Sequence, residues 1–144
     1  PRQNRTVPPL KYDYVYKLKS KYKDLNIIIN GGITDLQQTE EHLQHVDGVM
    51  IGRASYDNPF MMSGVDSLFF NMDESDNTKL SVLNEYLDYV TFMTQQGHDL
   101  SRMLKHLFGL SKGDIKAKTF RRKVHQAILD NDIEKSRAEL VELI

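Results

Sequence analysis

Two short apolar runs, Ile27-Ile28-Ile29-Asn30-Gly31-Gly32 and Gly48-Val49-Met50-Ile51-Gly52-Arg53, each carry β-branched residues, and each gives way to glycine. A run of that kind reads as a buried parallel strand opening into a loop that needs small residues. Between them lies one amphipathic stretch of helical period, so the order is strand, helix, strand. Two such units in tandem read as the last two βα units of a TIM (β/α)8 barrel. The loops after the final strands of that fold often bind phosphate through backbone N–H groups and a short helix N-terminus. Two strands cannot close a barrel, so the chain reads as the tail of a larger protein.

The rest of the chain is helical. Tyr12, Val15, Tyr16, Leu18 and Tyr22 follow a rough helical spacing to about Lys23, ahead of a strand expected over Leu25–Asn30. Thr34-Asp35-Leu36-Gln37 matches a capping box with Thr34 as the cap, which opens a helix running from about Asp35 to His45. The second strand is expected over Val49–Ile51. A short turn stopped by Asn58-Pro59 and one helix over Phe60–Phe70 complete a first domain, residues 1–70. Asn71 to Asn77, rich in Asp, Ser and Asn, forms a linker. Residues 78–144 then read as a four-helix bundle. Its helices are marked by Leu80, Leu83, Leu87 and Val90; by Leu100, Met103, Leu104, Leu107 and Phe108; by Ala117, Phe120, Val124, Ala127 and Ile128; and by Ala138, Val141 and Ile144. The fold class is therefore α/β plus all-α.

Composition excludes several functions. The 144 residues are 40% apolar, enough for one core or two small ones. No run of about 18 apolar residues spans a membrane, and the start has no signal-peptide pattern, so the protein reads as cytoplasmic. There is no cysteine, which removes disulfides, thiolate metal sites and a cysteine nucleophile from this chain. The net charge of −1 divides unevenly: −3 over residues 1–77 and +2 over residues 78–144. Lys112, Lys116, Lys118, Arg121, Arg122 and Lys123 face one acid, Asp114, in their stretch. A local patch of that density suits a polyanion.

Three stretches taken together resemble the tRNA-dihydrouridine synthases, and their A subgroup in particular. These are Asn4-Arg5-x-Val7-Pro8-Pro9-Leu10, Ile29-Asn30-Gly31-Gly32-Ile33, and Asp47-Gly48-Val49-Met50-Ile51-Gly52-Arg53-Ala54-x-Tyr56-x-Asn58-Pro59. Arg102-Met103-Leu104, Leu107-Phe108-Gly109-Leu110 and Ala117-Lys118-Thr119-Phe120-Arg121-Arg122 resemble the helical domain of the same proteins. The resemblance implies an FMN-dependent oxidoreductase that reduces a uridine of the tRNA D loop, with NADPH reducing the flavin. It implies an FMN-carrying barrel followed by a helical tRNA-binding domain.

By the same comparison Asn30, Gly31, Gly32, Gly52 and Arg53 hold the phosphate end of FMN. The chemistry agrees, because glycines let the backbone approach phosphate oxygens and a guanidinium adds a charge-assisted contact. The competing reading is that the glycines only turn the chain and Arg53 pairs with a surface acid. In the family a cysteine on an upstream segment protonates uridine C5. No catalytic residue is therefore assigned here, and the isolated chain is expected to be inactive.

Lys118, Arg121, Arg122 and His125 share one face of their helix, opposite Ala117, Phe120, Val124 and Ile128. Such a face is either simply solvated or an RNA contact; the resemblance assigns Lys118, Arg121 and Arg122 to tRNA. Phe120 stands where relatives usually have tryptophan and reads as a core anchor. Arg2 and Arg5 are further tRNA candidates, with a barrel carboxylate as the other partner open to Arg5. His42 and His45 suggest a metal only by spacing, with no third ligand, and read as packing or surface residues. Asp73-Glu74-Ser75-Asp76 lacks the glycine and distal glutamate of a calcium loop. No metal is expected. Two alternatives stay open: a stand-alone tRNA-binding module from a truncated gene, and the tail of another FMN barrel. Open strand edges are also expected to make the chain self-associate or to leave its first half disordered.

Overall fold

A computed structural model describes residues 9–144. Arg2 and Arg5 lie outside the described residues. The chain forms two compact units, one ending at Ala54 and the other spanning Ser55–Ile144. Residues 71–77 carry no helix or strand, in keeping with a connection. The compact units nevertheless divide earlier, within the short helix that follows the second strand. Segment 55–70 belongs with the helices because Phe60 packs against their core.

In the first unit α1 (Tyr12–Lys21) leads to β1 (Ile28–Asn30), α2 (Leu36–Leu43) and β2 (Gly48–Met50). The strands are parallel, with Ile28 opposite Gly48, Ile29 opposite Val49 and Asn30 opposite Met50. The period of two sends Ile29 to the helix-covered face, where it is buried with Ile33 and Val46 against Tyr12, Val15, Tyr16 and Val49. On the other face Ile28 is 67% exposed and Met50 51% exposed. The strands are thus covered on one face, whereas their apolar runs read as covered on both. The reason is that α1 and α2 supply a single layer.

Asp47 ties this unit together. Its backbone N–H donates to the Ile27 carbonyl at 3.1 Å, and its carboxylate accepts from the Ile27 N–H at 2.8 Å and from Lys19 Nζ at 2.8 Å. The start of α2 corrects the expected cap by one residue. Asp35, not Thr34, is the N-cap: its carboxylate accepts from the Gln38 N–H at 2.8 Å. Gln38 Oε1 in turn accepts from the Thr34 N–H at 3.1 Å, and Gln38 Nε2 donates to the Thr34 hydroxyl at 3.0 Å. An ionised carboxylate is a stronger acceptor than a hydroxyl, so it takes the cap position.

After α3 (Arg53–Asp57), the expected helix over Phe60–Phe70 is two pieces: a 3-10 turn at Pro59–Gly64 and α4 (Val65–Phe70). Then come α5 (Lys79–Gln95), α6 (Leu100–Leu104), a second 3-10 turn at Lys105–Gly109, α7 (Ala117–Asp130) and α8 (Glu134–Val141). Thr78 and Ser81 form a reciprocal capping box on α5, and the Asp99 carboxylate caps α6. Helix α5 packs on α6 and α8, and α7 packs on α6 and α8. They enclose a core of Leu83, Leu87, Val90, Leu100, Leu104, Leu107, Leu110, Phe120, Val124, Ala127, Ile133 and Leu140.

Three expectations about this core change. The helix over residues 100–108 tightens after Leu104, because a 3-10 turn stacks residues three apart and so keeps Leu107 and Leu110 on one line into the core. Leu80 is 41% exposed rather than core. At α8 the buried residues are Ile133, just before its first turn, Ser136 and Leu140; Val141 and Ile144 pack against the core as expected, whereas Ala138 is exposed. Its pattern is too weakly amphipathic to set the face locally, so the packing against α5 and α7 sets it.

Candidate functional site

Parallel pairing in register sends the loops after β1 and β2 off the same end of the two-stranded sheet. Asn30 closes β1 and is exposed; Gly31 and Gly32 follow with φ of 119° and 69°. Both lie in the left-handed half of the map, which only glycine enters without strain. The Tyr12 hydroxyl donates to the Gly31 carbonyl at 2.7 Å and anchors the loop on α1. A Cβ on Gly32 would sit 2.6 Å from Leu10 Cδ1 and 3.0 Å from the Tyr12 hydroxyl oxygen. Gly32 therefore has a folding reason to be glycine.

Gly52 differs. Its φ lies outside the left-handed region, and a Cβ built on it meets no atom within 4 Å. Arg53, the next residue, begins α3, is exposed, and has no ion pair among the described residues. Asn30 at the end of β1, the Gly31-Gly32 loop, Gly52 and the first residue of α3, Arg53, thus follow the same end of the two paired strands, with open space where a Gly52 side chain would stand.

His42 and His45 are placed by aromatic packing. The His42 ring is buried, its Nδ1 shares a hydrogen bond with the Tyr16 hydroxyl at 2.5 Å, and it meets the Tyr12 ring edge to face at 4.5 Å. His45 lies over Tyr16 at 4.3 Å. Burial, with Asp13 nearby, raises the Tyr16 phenol above its ordinary pKa. Among the described residues no three His, Asp or Glu side chains converge to hold a metal.

On α7, Phe120, Val124 and Ala127 point into the core and leave Lys118, Arg121, Arg122 and His125 exposed. The six cations of residues 112–123 are not equivalent. Lys123 pairs with Glu139 and Lys116 Nζ donates to the Glu142 carbonyl at 3.1 Å, so both are engaged by α8 and its end. Lys112, Lys118, Arg121 and Arg122 have no acidic partner among the described residues. Charge counting cannot make that distinction, because the partners are distant in sequence.

A cleft of about 320 Å³ opens beside this helix, lined by Tyr56, Asp57, Phe108, Gly109, Lys112 and Arg121. Tyr56 is 55% exposed, and its ring is braced edge to face by His106 at 5.6 Å. Sequence reading registered Tyr56 only within a motif and Lys112 only within a charge patch. The contact that joins them is Gly109, whose missing Cβ would lie 2.5 Å from the Tyr56 carbonyl oxygen.

The family model described as dihydrouridine synthase (Dus) matches residues 1–142. The chain is 43% identical over 122 residues to the tRNA-dihydrouridine(20/20a) synthase of Shewanella oneidensis, covering 85% of this chain and 36% of that protein. Its match to the same-named protein of Synechocystis is 39% identical over 129 residues, or 90% of this chain and 39% of the other. With the protein of that name in Escherichia coli K12 it shares 36% identity over 145 positions, 98% of this chain and 42% of the other. The chain thus spans about two fifths of the length of these relatives. Among the described residues no helix is long and apolar enough to cross a membrane.

Proposed function

This chain belongs to the dihydrouridine synthase family, and from that premise we propose that it supplies the phosphate-gripping end of a flavin site and a tRNA-gripping helix to a tRNA-dihydrouridine synthase. In this reading β1 and β2 are the last two strands of a (β/α)8 barrel, and the exposed face carrying Ile28 and Met50 is the one that turns toward the barrel interior. The helical unit spanning Ser55–Ile144 is the RNA-binding part, with α7 as its basic face.

The observation that carries the reading is the parallel register, which sets Asn30-Gly31-Gly32 and Gly52-Arg53 at one end of one sheet. These residues suit FMN: Gly31 and Gly32 hold a backbone path that side-chain-bearing residues rarely adopt, Gly52 leaves room where a side chain would stand, and Arg53 brings a charge with no ion pair among the described residues for the phosphate. FMN held there would supply the hydride chemistry for reducing a uridine C5–C6 bond, with NADPH as its reductant. In this reading the proton for C5 comes from a cysteine of the parent enzyme that this chain, with no cysteine, does not supply. Lys118, Arg121 and Arg122 contact RNA phosphates and fix its orientation, a role that carries affinity rather than sequence information.

Two measurements test this. At about 50 mM salt the chain is expected to bind an unmodified tRNA transcript, and Lys118→Glu with Arg121→Glu is expected to weaken it at least tenfold, with a flatter salt dependence. Unchanged binding by that double variant refutes the RNA face. Dihydrouridine formation by these 144 residues with FMN and NADPH refutes the assignment of the proton donor to a residue outside them.

A further inference from the structure

The cleft beside α7 combines three features that the RNA-binding reading does not require of a generic basic surface. It has an exposed aromatic ring, two cations with no acidic partner among the described residues, and one carboxylate. We propose that it binds a single unstacked ribonucleotide of the tRNA, other than the uridine that is reduced. Its phosphate is held by Lys112 and Arg121, its base lies on the Tyr56 ring, and Asp57 accepts from a ribose hydroxyl. The proposal rests on the reading that this unit binds tRNA.

Size and rigidity favour one nucleotide. The cleft of about 320 Å³ lies near the lower limit of ordinary small-ligand sites, roughly 300–1,000 Å³. Its wall is fixed, because the backbone of Tyr56 and Asp57 abuts Gly109 so closely that a Cβ there would lie 2.5 Å from one and 3.0 Å from the other. His106 meets Tyr56 edge on at 85°, which braces the ring without stacking on it. Bases of single-stranded RNA stack on such platforms, and a guanidinium beside the ring adds charge for the adjoining phosphate. Among the described residues Lys112 makes hydrogen bonds only through its backbone: its N–H donates to the Gly109 carbonyl at 3.0 Å and its carbonyl accepts from Lys79 Nζ at 3.1 Å. Its ammonium group has no acidic partner among the described residues and is available to an outside anion.

The protein has no tryptophan, so a Tyr56→Trp variant carries one indole as a reporter inside the cleft. Titrated with an unmodified tRNA transcript at about 50 mM salt, that variant is expected to bind as the parent chain does, with its emission quenched in step with binding followed by anisotropy of labelled tRNA. Tyr56→Leu, checked for an unaltered circular dichroism melt, is expected to lose about tenfold in affinity. Lys112→Gln is expected to lower the slope of log affinity against log salt by about 0.7. Normal tRNA binding with unchanged indole emission and full affinity in Tyr56→Leu overturns the cleft but leaves the RNA-binding reading standing. Failure of the parent chain to bind tRNA overturns both. Quenching by 5′-AMP but not by tRNA overturns the assignment to RNA.

Discussion

Replacing Gly109 by alanine sets two physical effects of opposite sign against each other. Gly109 lies in the 3-10 turn at Lys105–Gly109 with φ outside the left-handed region, so its backbone accepts alanine without strain. Lowering the freedom of the unfolded chain then stabilises by about 0.4–1 kcal/mol. Against this, the new Cβ would stand 2.5 Å from the Tyr56 carbonyl oxygen, 2.9 Å from Pro59 Cδ and 3.0 Å from the Asp57 carbonyl carbon. Carbon atoms rest at about 3.5–4.0 Å, and here the neighbours are backbone and a proline ring, which cannot rotate aside. Overpacking of that kind costs about 1–3 kcal/mol, so the net expectation is a loss of about 1–2 kcal/mol. For a unit the size of Ser55–Ile144 that lowers Tm by roughly 5–15 °C. Urea and thermal unfolding followed by circular dichroism measure it, with Gly52→Ala as the control. Gly52 has no atom within 4 Å of a built Cβ, so that variant should match the parent or gain up to about 1 kcal/mol. A Gly109→Ala midpoint at or above that of the parent would refute the close approach of residues 56–59 to the turn, and with it the wall of the cleft.

The cap of α2 gives a second test: Asp35→Ala should cost about 1 kcal/mol in urea unfolding and Thr34→Ala distinctly less, the reverse of the order a Thr34 cap demands. Asp47 gives a pH test. Its pKa is depressed, first by the Ile27 N–H and then by Lys19, so its contribution is present above the unfolded carboxylate value near ~3.9 and disappears as pH falls through the lower folded value. Hydrogen exchange at the Ile27 amide should accelerate over that acid window in the parent chain; an amide insensitive to pH there, after correction for intrinsic exchange, would contradict the bond. Finally, the open face and edges of the two-stranded sheet should drive self-association, and Ile28→Lys should reduce it. Light scattering after size exclusion would show a monomer in both proteins if the expectation is wrong.

Much of the molecule is written in local pattern. The two glycine-terminated runs are adjacent parallel strands, and Phe120, Val124 and Ala127 are the buried face of α7, because side-chain direction repeats every two residues in a strand and every 3.6 in a helix. The residues that carry the family resemblance, among them Asn30-Gly31-Gly32 and Gly52-Arg53, are equally legible, since they are contiguous motifs at the strand ends. Where the period weakens, legibility fails. Helix α8 and the residue just before it present Ile133, Ser136 and Leu140 inward and leave Ala138 outside, a choice made by their neighbours.

Tertiary structure decided what depends on residues far apart in the chain. Gly32 and Gly52 look alike in the sequence, yet one is confined by Leu10 and Tyr12 while the other stands in open space. Lys118 and Lys123 belong to one basic run, yet Glu139 neutralises the second and no acid among the described residues meets the first. Tyr56 and Arg121 line one cleft only because Gly109 lets two backbones touch. Periodicity and turn chemistry are short-range and survive in any local reading. Steric closeness and charge pairing fall off within a few ångströms, so they exist only once the chain has brought distant residues together.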